Sequence, residues 1–116
     1  MGDRANVKVV DGDSTVYLYT HWAGTELPET LARALGRQAR WDDGQYLARI
    51  IFQEMLGDDD GALGYGISST VVDGDDRVLV VDVDKQVVYT ADEHAGSTGE
   101  PVSFKSYAAG LIAPWR

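Results

Sequence analysis

VYLYTHWAGTELPETLARAL, residues 16–35, runs from an alternating strand through His21 and Trp22 into a proline-started amphipathic helix. Pro28 suits a first helical turn, where its missing N–H and fixed φ cost nothing, and Glu29 beside it favours the positive end of the helix dipole. Leu27, Leu31, Ala34 and Leu35 then fall on one stripe at helical spacing, and Gly36 ends it. On the upstream side, Val7 to Val10 and Thr15 to Trp22 read as a β-hairpin around Asp11, Gly12, Asp13 and Ser14. A two-residue loop at Gly12 and Asp13 sets Val9 against Val16, Val7 against Leu18 and Lys8 against Tyr17. Val16, Leu18, Thr20 and Trp22 then share one face of the second strand, the core face, and Tyr17, Tyr19 and His21 share the other.

Downstream, Asp42 with Gln45 three residues later resembles a capping box opening a second helix, YLARIIFQEML. Leu47, Ile50, Ile51 and Met55 form its apolar face, widened by Ala48 and Phe52, which places it centrally in the core. After Gly57 the loop DDDGALGYG separates the helices from three strands, 67–72, 77–83 and 86–90, with turns at DGDD (73–76) and at Asp84 and Lys85. Val78 to Val81 is apolar on both faces, as an inner strand covered on two sides requires. Residues 91–101 read as a polar, Gly-rich loop, and Ser103 as the cap of a closing helix, FKSYAAGLI. The order β-β-α-α-β-β-β-α predicts a single α+β domain over residues 1–116, with an antiparallel sheet of about five strands and helices on one face.

A length of 116 residues suits one domain, and 44% apolar with 25% charged residues is a globular composition. Nineteen acidic against ten basic side chains give a formal charge of -9. Such a surface repels phosphate backbones and anionic membranes, so direct nucleic-acid or membrane binding is not expected. Fourteen of the acids are Asp and five are Glu, many of the Asp in Gly-containing turns. The absence of Cys removes disulfides, thiolate metal sites and a cysteine nucleophile. No apolar stretch approaches a membrane span or a signal-peptide core, and Asn6 stands where a myristoylation signal has Ser or Thr; the cytoplasm is the expected compartment.

Chemical motifs are sparse. GYGISS (64–69) is not a nucleophile elbow, and GALGYG matches neither a Walker nor a dinucleotide loop. No stretch follows the twelve-residue calcium loop, and Asp82 with Asp84 reads as an exposed strand end. His94 lies in the 91–101 loop, with no spacing that pairs it with His21 on a metal. No catalytic residue, metal ligand or cofactor is therefore assigned. Tyr17, Tyr19 and His21, joined by Trp41, form the candidate binding surface, because Tyr and Trp concentrate at interaction hot spots.

THWAGTELPETL (20–31), RWDDGQYLARIIFQEM (40–55), GYGISS (64–69) and VVDVDKQ (80–86) together resemble a group of small uncharacterised proteins of bacterial, especially actinobacterial, and bacteriophage genomes. The similarity covers most of positions 16–88. It implies no activity and carries over no functional residue. The chain departs from that group at 91–101, a longer and more Gly-rich link to the closing SFxxY-type segment of Ser103, Phe104 and Tyr107. The expected function is a small non-enzymatic binding or accessory protein acting through a protein partner, with a homodimer as one form. Two other readings are an acidic inhibitor mimicking nucleic-acid charge and a metal- or small-molecule-dependent enzyme using His21.

Overall fold

The computed structural model describes residues 3–59, 61, 63–72, 77–92, 96–97 and 100–112. The DGDD turn and His94 lie outside them. The chain runs β1 (Ala5–Asp11), β2 (Ser14–Thr20), α1 (Leu27–Leu35), α2 (Gly44–Leu56), β3 (Tyr65–Ser68), β4 (Arg77–Asp82), β5 (Val87–Asp92), β6 (Gly96–Ser97), β7 (Val102–Ser103) and α3 (Phe104–Ala108). One sheet holds the strands in the order β3-β2-β1-β4-β5-β6, with β7 also paired to β5.

The hairpin register follows the alternation: Val7 faces Leu18, Lys8 faces Tyr17 and Val9 faces Val16, with Asp11 opposite Ser14 across the loop. Gly12 takes φ +58, the positive value a two-residue primed loop needs at its first position. The sheet is not wholly antiparallel as expected, because β1 and β4 pair in parallel. The connection between them, through β2, both long helices and β3, is long enough to return the chain in the same direction. β4 is central, and all four residues Val78 to Val81 are buried.

Ala5, Val7, Val9, Leu18, Leu79, Val81 and Val88 turn one sheet face to the helices. From α1 come Leu27, Leu31, Ala34 and Leu35, and from α2 Leu47, Ile50, Ile51 and Met55. Burying each such aliphatic side chain is worth roughly 1.5–3 kcal/mol, so this shared layer is what holds both helices down. Phe104 and Tyr107 add α3 to the same core. The Tyr107 hydroxyl donates to the Pro28 carbonyl at 3.0 Å, joining α3 to the first turn of α1.

Several local expectations are corrected. The cap of α2 is Asp43, whose carboxylate accepts from the Tyr46 N–H, rather than Asp42. β3 spans Tyr65–Ser68 instead of 67–72, and α3 ends at Ala108 rather than continuing to 112. Ala91 and Asp92, read as loop, extend β5, and Gly96–Ser97 pairs with them. Trp22 does not end a core face: the Thr20 hydroxyl accepts the Ala23 N–H at 3.1 Å where the strand stops, and Trp22 is 48% exposed.

Several of the Asp side chains tie distant or neighbouring backbone together. Asp84 accepts the Gly12 N–H at 2.8 Å, and Asp82 accepts the Lys85 N–H at 3.1 Å. Asp3 bonds Arg77 at 2.6 Å and the Thr25 N–H at 3.0 Å. The Arg77 guanidinium, and after it the Thr25 N–H, holds the Asp3 carboxyl below its usual range.

Asp11 reaches from the end of β1 to the Gly44 N–H at 2.8 Å, where the α2 dipole favours an anion. A Cβ on Gly44 would stand 2.6 Å from the Asp11 Cβ and 2.9 Å from its Oδ2. Gly44→Ala, normally a gain in a helix, is therefore expected to cost about 1–3 kcal/mol through overpacking. Urea unfolding of the single variants and of Gly44→Ala with Asp11→Gly, which removes the Asp11 Cβ as well as its carboxylate, checks this. The double variant should be more stable than the sum of the two single losses, since the second change removes the obstruction.

Candidate interaction edge

β3 closes one side of the sheet, and among the described residues it pairs with β2 alone. Ile67 lies opposite Leu18, so its side chain stands on the helix-covered face, yet it is 62% exposed. The reason is that α2 packs chiefly over β1 and β2, so that on the outermost strand Tyr65 still meets the core while Ile67 is left exposed. Between them lies a groove of about 290 Å³ lined by Val16, Leu18, Gln45, Ala48, Arg49, Phe52 and Ile67. Val16 and Gln45 also line a second, more polar cavity of about 340 Å³, bounded by Asp11, Asp43 and Gly44.

Exposed large apolar side chains gather at this edge. Among the described residues five are of this kind, and of these Trp22, Leu63 and Ile67 flank or belong to β3. The Trp22 ring lies edge-to-face with Tyr65 at 6.0 Å and with His21 at 6.0 Å. Gly64, at φ +93, leaves room for that ring, since a Cβ there would stand 2.3 Å from Trp22 Cζ2. Gly64→Ala is expected to push the indole off its seat and cost about 1–3 kcal/mol in backbone strain. A shift in tryptophan emission that is absent in a Trp22→Phe background would confirm the displacement.

The residues selected from sequence are not gathered as one exposed surface. Tyr17 and Tyr19 occupy the sheet face away from the helices and are each only 9% exposed. Lys8 Nζ sits over the Tyr17 ring at 5.7 Å, an arrangement worth about 0.5–1 kcal/mol. The Tyr19 hydroxyl and His21 Nδ1 are 3.0 Å apart, so one ring nitrogen of the half-buried histidine is engaged within the fold. Trp41 is elsewhere, against the helix-side core: its indole N–H donates to the Leu35 carbonyl at 3.1 Å and its ring meets Phe104 edge-to-face at 5.7 Å. Tyr17 and Tyr19 pair with β3 through their backbone, opposite Ser68 and Gly66, and of the four only the His21 ring reaches the exposed Trp22 beside that strand.

Sequence reasoning missed Trp22, Leu63, Ile67 and Phe52 as surface residues. Alternation identifies which face a residue occupies but not whether a helix extends far enough to cover it. Among the described residues no three His, Asp or Glu side chains are grouped to hold a metal, and no helix is long and apolar enough to cross a membrane. No protein-family model matches the chain, and no curated protein or solved structure does either.

Proposed function

We propose that this chain is a small binding or accessory protein that acts through a protein partner, and that the partner docks on the β3 edge and its groove. The observation carrying this is the exposed Ile67 in an apolar groove beside β3, which among the described residues pairs on one side only, with the exposed Trp22 packed on Tyr65 of the same strand. Exposed apolar residues grouped in this way mark interaction sites, whereas scattered ones carry no such meaning. The resemblance to small bacterial and phage proteins is compatible with an accessory role. The charge-mimic reading has less support, because Asp3, Asp11, Asp82 and Asp84 are engaged in holding backbone or Arg77 instead of forming a free acidic array.

The test is affinity capture from the source organism with wild type, Ile67→Asp and Phe52→Asp, all first shown to keep the wild-type unfolding midpoint. Truncation or charging of a central interface residue typically costs about 2 kcal/mol or more, so a captured partner should fall roughly thirtyfold or further in both variants. A partner retained equally by all three would remove the edge from the proposal.

A further inference from the structure

The mode of binding can be taken further on the strength of the proposed docking edge. We infer that the occupant is an extended basic segment of another protein, which adds as a strand to β3 and inserts apolar side chains into the groove beside α2.

The first ground is the direction of the β3 backbone groups. The His21 N–H donates to the Gly64 carbonyl at 2.7 Å. In an antiparallel pair, residues that exchange hydrogen bonds alternate with those that do not. The bonded position at Gly64 therefore recurs at Gly66, opposite Tyr19, and at Ser68, opposite Tyr17. Tyr65 and Ile67 then turn their N–H and C=O away from β2, toward the open side. A strand added there finds two donors and two acceptors in register, and strand addition draws its affinity from main-chain groups of this kind.

The second ground is the groove. Ile67, Leu18, Ala48 and Phe52 give it an apolar floor and wall on the helix side of the new strand. Alternate residues of the incoming segment would enter it, since successive side chains leave a strand on opposite faces.

The third ground is charge, which separates this occupant from a second copy. Two copies meeting edge to edge would each bring a formal -9. Like charge of this size opposes self-pairing and draws a cationic partner. Acids also stand at both ends of α2: Asp42 and Asp43 before it, Asp58 and Asp59 after it. Among the described residues Arg49 is the one cation lining the groove, and its guanidinium donates to the Gln53 side chain four residues on. The matching segment is therefore apolar at alternate positions in its middle and basic at its two flanks.

The probe is a short peptide of alternating Val and Thr flanked by paired Lys at each end, added to the full chain labelled for amide NMR. The expected result is shift changes at residues 65–68 and at Ala48 and Phe52, with amide exchange slowed at Tyr65 and Ile67. The same peptide with Glu flanks should bind at least about tenfold more weakly, and the Lys-flanked form should weaken as salt is raised. A peptide N-methylated along its pairing edge should lose binding, since it keeps charge and apolar groups but not the donors.

Three outcomes overturn the inference. One is no change at β3 with millimolar peptide. Another is equal binding by the N-methylated peptide, which would mean attraction by charge alone. The third is concentration-dependent broadening at β3 without peptide, accompanied by a dimer in light scattering, which would make a second copy the occupant. If the peptide fails while Ile67→Asp and Phe52→Asp still abolish capture of a native partner, the docking edge stands and strand addition falls. If the peptide binds as expected but those variants leave native capture intact, the proposed function falls instead.

Discussion

Phe104→Ala is expected to lower the unfolding free energy by about 3–5 kcal/mol, a large share of the roughly 5–15 kcal/mol that holds a domain of this size together. Phe104 is 1% exposed and belongs to the same core layer as α1 and α2. Its ring meets Trp41 edge-to-face at 5.7 Å, and its N–H donates to the Gln86 carbonyl at 2.8 Å. Truncation would open a cavity under α3 while leaving the backbone anchor and the Ser103 cap, which accepts the Ser106 N–H at 3.1 Å, in place. Collapse around the missing ring would therefore be restricted, and the loss should lie toward the upper end of that range. Denaturant unfolding checks the magnitude. Phe104→Leu, which keeps most of the volume, should cost less than about 1.5 kcal/mol. Equal losses for the two variants would show that the site tolerates a void and that α3 is not packed as described.

Tyr107 carries the second large effect, and its two parts can be separated. Tyr107→Ala should cost about 3–5 kcal/mol for the lost ring, while Tyr107→Phe isolates the hydroxyl at about 0.5–1.5 kcal/mol. The second figure is that of one buried hydrogen bond, because the Pro28 carbonyl lies in the first turn of α1 and keeps its intrahelical partner. Burial, and after it the negative charge of Glu29, pushes the Tyr107 phenol well above its ordinary value of 10.0. Below about pH 10 both the folded and unfolded chains keep this proton, so its contribution is constant. Above about pH 10 the unfolded chain releases the proton while the folded chain retains it, and stability falls as pH rises toward the raised folded value. Unfolding free energies of wild type and Tyr107→Phe should therefore differ most at neutral pH and converge above pH 10. A gap that stays constant through that range would contradict the buried, protonated phenol.

These two residues also show how sequence and structure divide the information. The SFxxY-type spacing and Ser103 made a capped closing helix legible, because capping and i,i+3 packing are local properties. That the helix lies across α1, with Tyr107 on the Pro28 carbonyl, was not legible, since it depends on two segments 79 positions apart. The hairpin was readable almost residue by residue, because a short loop leaves one register that puts Val7, Val9, Val16 and Leu18 together. The same alternation could not say that β1's other neighbour would be β4, or that the pair would be parallel. Alternation reports the face of a residue and is silent on its strand neighbours.

For the binding surface the division is sharper. Aromatic enrichment on β2 drew attention to Tyr17, Tyr19 and His21, and Trp41 joined them by residue type alone. The folded chain buries the two tyrosines and sends Trp41 to the helix side. The edge with open backbone is instead β3, beside Trp22, where the strand alternation had already broken off at Thr20.

By itself, then, the amino-acid order of VYLYTHWAGTELPETLARAL and its neighbours determined the α+β class, the hairpin register and the core faces of α1 and α2, all consequences of periodicity over a few residues. Tertiary structure alone decided the strand order, the uncovered β3 edge and the exposure of Ile67 and Trp22. Those depend on where α2 stops across the sheet and on which distant strands meet, and neither is encoded within any one window of the chain.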